Sequence, residues 1–153
     1  MSLGLACVVM AGLTLIGCGE DRNDSLGKDA PKGVAPAGGT AVNGVQKEWS
    51  LQIDLAAVKA GPVTFTFKNA GKIVHEMLIV KTDLAAGTMP VDPIEHRFNE
   101  ESPQWEVVKE ISEYDAGTTK ALTLTLEPGA YQLVCNVPGH YANGMATAFT
   151  VTD

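Results

Sequence analysis

The chain has 153 residues, 45% of them hydrophobic and 19% charged, with a formal net charge of −7. That length and balance fit one domain with appendages and exclude a disordered or collagen-like chain. Acids outnumber Lys and Arg by 18 to 11 and no basic cluster exists, so nucleic acid is excluded as a partner.

Residues 2–17, SLGLACVVMAGLTLIG, are apolar and uncharged, and too short for a comfortable transmembrane helix. They read as the hydrophobic region of a signal peptide spanning 1–17. The run ends in Leu15-Ile16-Gly17-Cys18, which resembles the lipobox of bacterial lipoproteins, although no Lys or Arg precedes it. That resemblance implies cleavage before Cys18, lipidation of its thiol and attachment to a membrane through the lipid alone. The exported protein is then periplasmic or at the cell surface. Gly19 stands where Asp often marks inner-membrane retention, so the outer membrane is expected in a Gram-negative organism. The alternatives are an ordinary secretory signal or a buried apolar segment.

Residues 18–45 are rich in Gly, Ala, Pro, Asp and Lys without apolar periodicity. Such a stretch is expected to be a flexible tether. It would let the domain range over some tens of ångströms, at about 5–6 Å times the square root of its length. The folding portion is then 46–153, enough for a single modest core.

Within it, short runs of period-2 alternation dominate. Trp49, Leu51 and Ile53 alternate with polar neighbours, and Val63-Thr64-Phe65-Thr66-Phe67 follows a break at Gly61-Pro62. Residues 74–80 are apolar apart from His75 and Glu76, as in a strand covered on both faces. Ala121 to Leu126, Tyr131 to Val134 and Ala146 to Val151 complete the set. Strands at this spacing predict an all-β chain, an antiparallel sandwich or barrel.

Residues 83–115 break the rhythm. Pro90, Pro93 and Pro103 oppose continuous strand or helix, and Ser102-Pro103 predicts the start of a short helix over 104–108. Nine acids and two bases lie here, while the rest of the chain balances nine against nine. This acidic, partly helical excursion is either a solvated loop or a steering patch for a basic partner.

The chemistry concentrates in CNVPGHYANGM, residues 135–145. Cys7 lies in the signal and Cys18 would carry lipid, so Cys135 is the one thiol of the mature domain and has no disulfide partner there. An exported unpaired thiol invites oxidation unless it is occupied or buried. Pro138-Gly139 and Asn143-Gly144 turn the chain so that Cys135, His140 and Met145 can face one point. A thiolate, an imidazole and a weak thioether favour copper over zinc, magnesium or calcium, and His75 offers the second imidazole. His96, between Glu95 and Arg97, reads as a surface histidine, and Met10, Met77 and Met89 as signal, core and loop residues. His140, amid Val137, Pro138, Tyr141 and Ala142, is expected to show its ring edge through an apolar patch.

Together, VHEMLIV, the acidic excursion, LTLEPGAYQLVCNVPGHYANGM and the terminal strand resemble the cupredoxins, the type 1 blue-copper proteins. The Cys-x4-His-x4-Met spacing is similar to that of rusticyanin and sulfocyanin. The resemblance implies a Greek-key β-sandwich holding one type 1 copper through His75, Cys135 and His140, with Met145 axial. It also implies a single-electron carrier rather than an enzyme, serving a redox protein such as a c-type cytochrome or a terminal oxidase or reductase. Two departures touch the surroundings of the metal: Glu76 follows the first His where Asn is common, and Asn136 follows the Cys where Ser or Thr is common. Two other functions use the same residues. One is periplasmic copper delivery or sequestration; the other is nucleophilic catalysis by a Cys135–His140 pair, for which no orienting carboxylate is recognisable.

Overall fold

Alternation in the sequence becomes two stacked sheets in the computed structural model, which describes residues 24–153. The segment read as a signal, Cys7, Met10 and Cys18, where lipidation is expected, lie outside the described residues. Among the described residues nine strands form: β1 (Thr40–Lys47), β2 (Ser50–Ile53), β3 (Ala57–Lys59), β4 (Gly61–Asn69), β5 (His75–Lys81), β6 (Glu106–Tyr114), β7 (Thr119–Leu126), β8 (Gly129–Val134) and β9 (Ala146–Thr152). One sheet has the order β2-β1-β4-β7 and the other β3-β9-β8-β5-β6. Both are mixed, because β1 runs parallel to β4 and β3 parallel to β9.

The core lies between the sheets. Val63, Phe65 and Phe67 of β4 meet Met77 and Ile79 of β5, Leu133 of β8 and Phe149 of β9. Each such side chain taken from water contributes about 1.5–3 kcal/mol. The other face of β5 is also covered, as its apolar run predicts. Leu78 and Val80 pack there with Met89, Phe98, Val134 and Tyr141.

Two expectations are corrected. The region read as a tether is part of the domain from at least Leu26, which is buried, and β1 begins inside it at Thr40. Its glycines give it the composition of a linker while serving the strand. Gly44 is a strand residue on which the Phe67 ring lies so closely that no Cβ fits. The second correction concerns the predicted helix over 104–108. Ser102 and Pro103 make a turn, with Ser102 Oγ accepting the Gln104 N–H at 3.3 Å, and the chain then enters β6. Val107, Val108 and Ile111 favour a strand, and pairing with β5 satisfies the backbone. The excursion over 83–105 is therefore turns. It is not merely solvated, since Met89 and Phe98 are buried under it.

Candidate metal centre

Three strand ends and one tight loop build the site. His75 opens β5 and Cys135 follows β8, its neighbour in the sheet, so both stand at one end of the sandwich. The loop from Cys135 to Met145 is pinned at its base, where the Cys135 N–H donates to the Met145 carbonyl at 3.0 Å. Inside it, the His140 N–H donates to Val137 O at 2.8 Å, and a 3-10 turn covers Tyr141–Asn143. Gly139 and Gly144 have φ of 84° and 96°, which L side chains resist, so the two glycines permit the double turn. The sequence signal in PGH and NG was a true one.

This geometry brings three donors together. Cys135 Sγ stands 3.2 Å from His140 Nδ1 and 3.7 Å from His75 Nδ1, and the two nitrogens are 3.1 Å apart. A point equidistant from the three lies about 1.9 Å from each, against roughly 2.0–2.3 Å for imidazole and thiolate bonds to a transition metal such as zinc. The triangle is thus of the size that one ion needs. Met145 is fully buried, and its N–H donates to His140 O at 3.2 Å. His96 is exposed on the excursion, as expected.

Electrostatics leave the cluster uncharged without a metal. Burial pushes the Cys135 thiol up to about 12, against the Glu76 and Val137 N–H groups, which favour the thiolate. Burial, and then the neighbouring His140, push His75 down to about 4; His140 is lowered chiefly by burial. A neutral thiol and two neutral imidazoles avoid an unpaired buried charge and keep nitrogen lone pairs available.

The two departures in sequence act differently, Glu76 through its backbone, which any residue there would offer, and Asn136 through its side chain. The Glu76 N–H donates to Cys135 Sγ at 3.4 Å, and its own carbonyl accepts from Gln46 Nε2 at 2.7 Å. Gln46 in turn accepts from the Tyr114 hydroxyl, so a buried chain braces the backbone that addresses the sulfur. The Glu76 carboxyl is pushed up to about 7 by burial and by Glu100, Glu110 and Glu113. Asn136 is fully buried. Its side chain accepts the Phe98 N–H at 3.0 Å and donates to Phe98 O at 3.0 Å and to Glu100 Oε1 at 2.9 Å. It fastens the excursion to the Cys loop.

One expectation about access is overturned. His140 is 3% exposed, because the Trp49 ring stands edge-on to it at 5.2 Å. Trp49, 49% exposed, is the residue that shows at the surface. It belongs to the turn between β1 and β2, and nothing local in the sequence ties that turn to His140. Glu48, its neighbour, accepts the Lys72 and Ile73 N–H groups at 2.6 and 3.0 Å. The turn therefore covers both imidazoles.

No protein-family model matches the chain, and no curated protein matches it by sequence. Solved structures do. The dithionite-reduced auracyanin of Roseiflexus castenholzii is 24% identical with a TM-score of 0.52, over 74% of this chain and 96% of that one. Auracyanin B is 19% identical with a TM-score of 0.55, over 82% and 96%. Reduced rusticyanin is 22% identical with a TM-score of 0.54, over 86% and 94%. The two-sheet sandwich is therefore the cupredoxin fold.

Proposed function

We propose that this chain is a type 1 copper protein that passes single electrons between redox partners. The reading rests on one observation: a thiol and two imidazole nitrogens converge within hydrogen-bond distances at a buried strand end. Rusticyanin, whose fold the chain shares, is a copper protein. His75, Cys135 and His140 would hold the ion, with Met145 as the weak fourth ligand; the ion supplies the Cu(I)/Cu(II) couple. The residues supply rigidity. Cys135 is fixed between the β8–β9 ladder and the Glu76 N–H, so its sulfur has little freedom to follow a change of oxidation state. Visible and electron paramagnetic resonance spectra of the protein loaded with one equivalent of copper test the reading. An intense blue Cu(II) species is expected, and a colourless one would sink it.

Burial separates the rivals. A delivery or sequestration protein needs ligands that exchange, whereas here they are at most 3% exposed. A catalytic thiol must reach its substrate, whereas Cys135 is fully enclosed. Export and lipidation at Cys18 complete the reading, and would place the carrier at the outside of a membrane. Its partner is a basic redox protein, supported by the acids Glu100, Glu110 and Glu113 that face Glu76 beside the site.

Copper uptake should release one proton. The thiol, pushed up to about 12, is protonated when metal-free, while both imidazoles are already neutral near pH 7. Raising the pH removes the competing proton, so apparent Cu(II) affinity rises roughly tenfold per pH unit through the neutral range. Flat affinity from pH 6 to 9 would mean that the thiol is not a ligand.

Trp49→Ala should open the site. The loss of an aromatic pair, about 0.5–1.5 kcal/mol beyond its area, should speed removal of copper by a chelator roughly tenfold. An unchanged rate would show that the indole is no cover.

A further inference from the structure

Ligation through Nδ1 leaves Nε2 to carry the ring proton of each histidine. For His75 that atom is buried and, among the described residues, is the buried side-chain nitrogen or oxygen left without a hydrogen-bond partner. Such an orphan calls for an explanation. Glu48 Oε1 stands 3.9 Å from it, longer than a formed hydrogen bond and well within range of a charge acting on an N–H dipole.

Glu48 is not a loose surface acid. The same Oε1 accepts the Lys72 and Ile73 N–H groups, in the segment that leads into His75. At Gly71 a Cβ would stand 2.5 Å from that oxygen, so glycine lets the loop close over the carboxylate. The backbone N–H groups also hold the Glu48 carboxyl down to about 2, keeping it ionised across the working range. A fixed negative charge thus faces the outer edge of His75, while the next residue, Trp49, covers His140.

We propose that Glu48 is a positioning residue of the metal centre: its carboxylate receives the His75 Nε2–H, keeps Nδ1 directed at Cys135 and His140, and favours the oxidised ion over the reduced one. The inference rests on the copper reading above. Metal-ligating histidines commonly give their second N–H to a carboxylate, carbonyl or water, and loss of such a partner costs about 10–100-fold in affinity or activity.

Glu48→Gln keeps an oxygen for Lys72 and Ile73 but removes the charge. Its metal-free thermal midpoint should match the parent's. Its Cu(II) affinity should fall tenfold or more while its Cu(I) affinity changes less than threefold. For a one-electron couple, each full tenfold difference between the two affinities raises the potential by about 59 mV. Unchanged affinities overturn the proposal. Equal losses in both oxidation states together with a lower midpoint also overturn it, because Glu48 would then be a loop anchor alone. A second arm uses zinc, which is diamagnetic and suits these ligands. By NMR, the His75 Nε2–H should exchange with water at least tenfold faster in Glu48→Ala than in the parent, and equal rates overturn the assignment. This arm needs no copper, so a parent that forms no blue complex defeats the electron-transfer reading, while Glu48 is decided by the exchange rates.

Discussion

Cys135→Ser will fold, bind Cu(II) far more weakly than the parent and show no blue colour. The serine hydroxyl fits the space of the thiol and can still face His140 Nδ1, which lies 3.2 Å from the sulfur, so little packing is lost. A hydroxyl does not ionise near neutral pH as a metal-bound thiol does, and it lacks the soft donor that suits copper. The loss should exceed the roughly 100-fold upper range for removing a mere outer partner. Two measurements make the case together: a thermal midpoint close to the parent's, and isothermal titration with Cu(II) showing the fall. Blue colour retained in the variant would place the copper elsewhere.

Asn136→Ala should be the most destabilising polar change in the site, at about 2–5 kcal/mol. The substitution leaves the buried Phe98 N–H and C=O without their partner, each at about 1–3 kcal/mol, and strands the Glu100 carboxylate beside them. The effect will be uneven. The excursion should loosen first, because Phe98 is its main anchor against Tyr141, at a ring separation of 5.1 Å. Chemical denaturation measures the total, and limited proteolysis within 83–105 reports the loosening. A variant as stable and as resistant as the parent would mean that Asn136 is a bystander.

Much of this was legible in the residues, for reasons that can be named. Cys135, His140 and Met145 are close in sequence, and the turns between them are written in Pro-Gly and Asn-Gly. His75 was legible by chemistry, since a second imidazole was required and one stood on an apolar strand. Alternation recovered β2, β4, β7, β8 and β9, and the apolar run recovered β5. What escaped was long-range or disguised. β1 hid because Gly44 looks like linker and is in fact the space for a ring. β6 hid behind a Ser-Pro that mimics a helix start. Glu48 and Trp49 gave no sign of belonging to the site, because their partners His75 and His140 come close only through the sandwich. The same holds for Asn136, whose purpose depends on a loop that closes back from residue 98.

The N-terminal correction changes how an anchored form would hang. The 3-10 turn Asp24–Asp29 ends in Asp29, which pairs with Lys47 at 2.7 Å and faces Lys68 at 3.7 Å. Lys47 precedes the turn that covers the imidazoles, so the chain joins the sandwich at its metal end. If Cys18 bears lipid, six peptide units separate it from Asp24, a leash of at most about 22 Å at 3.3–3.6 Å per residue. A carrier so held would not roam. It would stand with its redox face toward the bilayer surface, and its exchange partners would be those that share that surface.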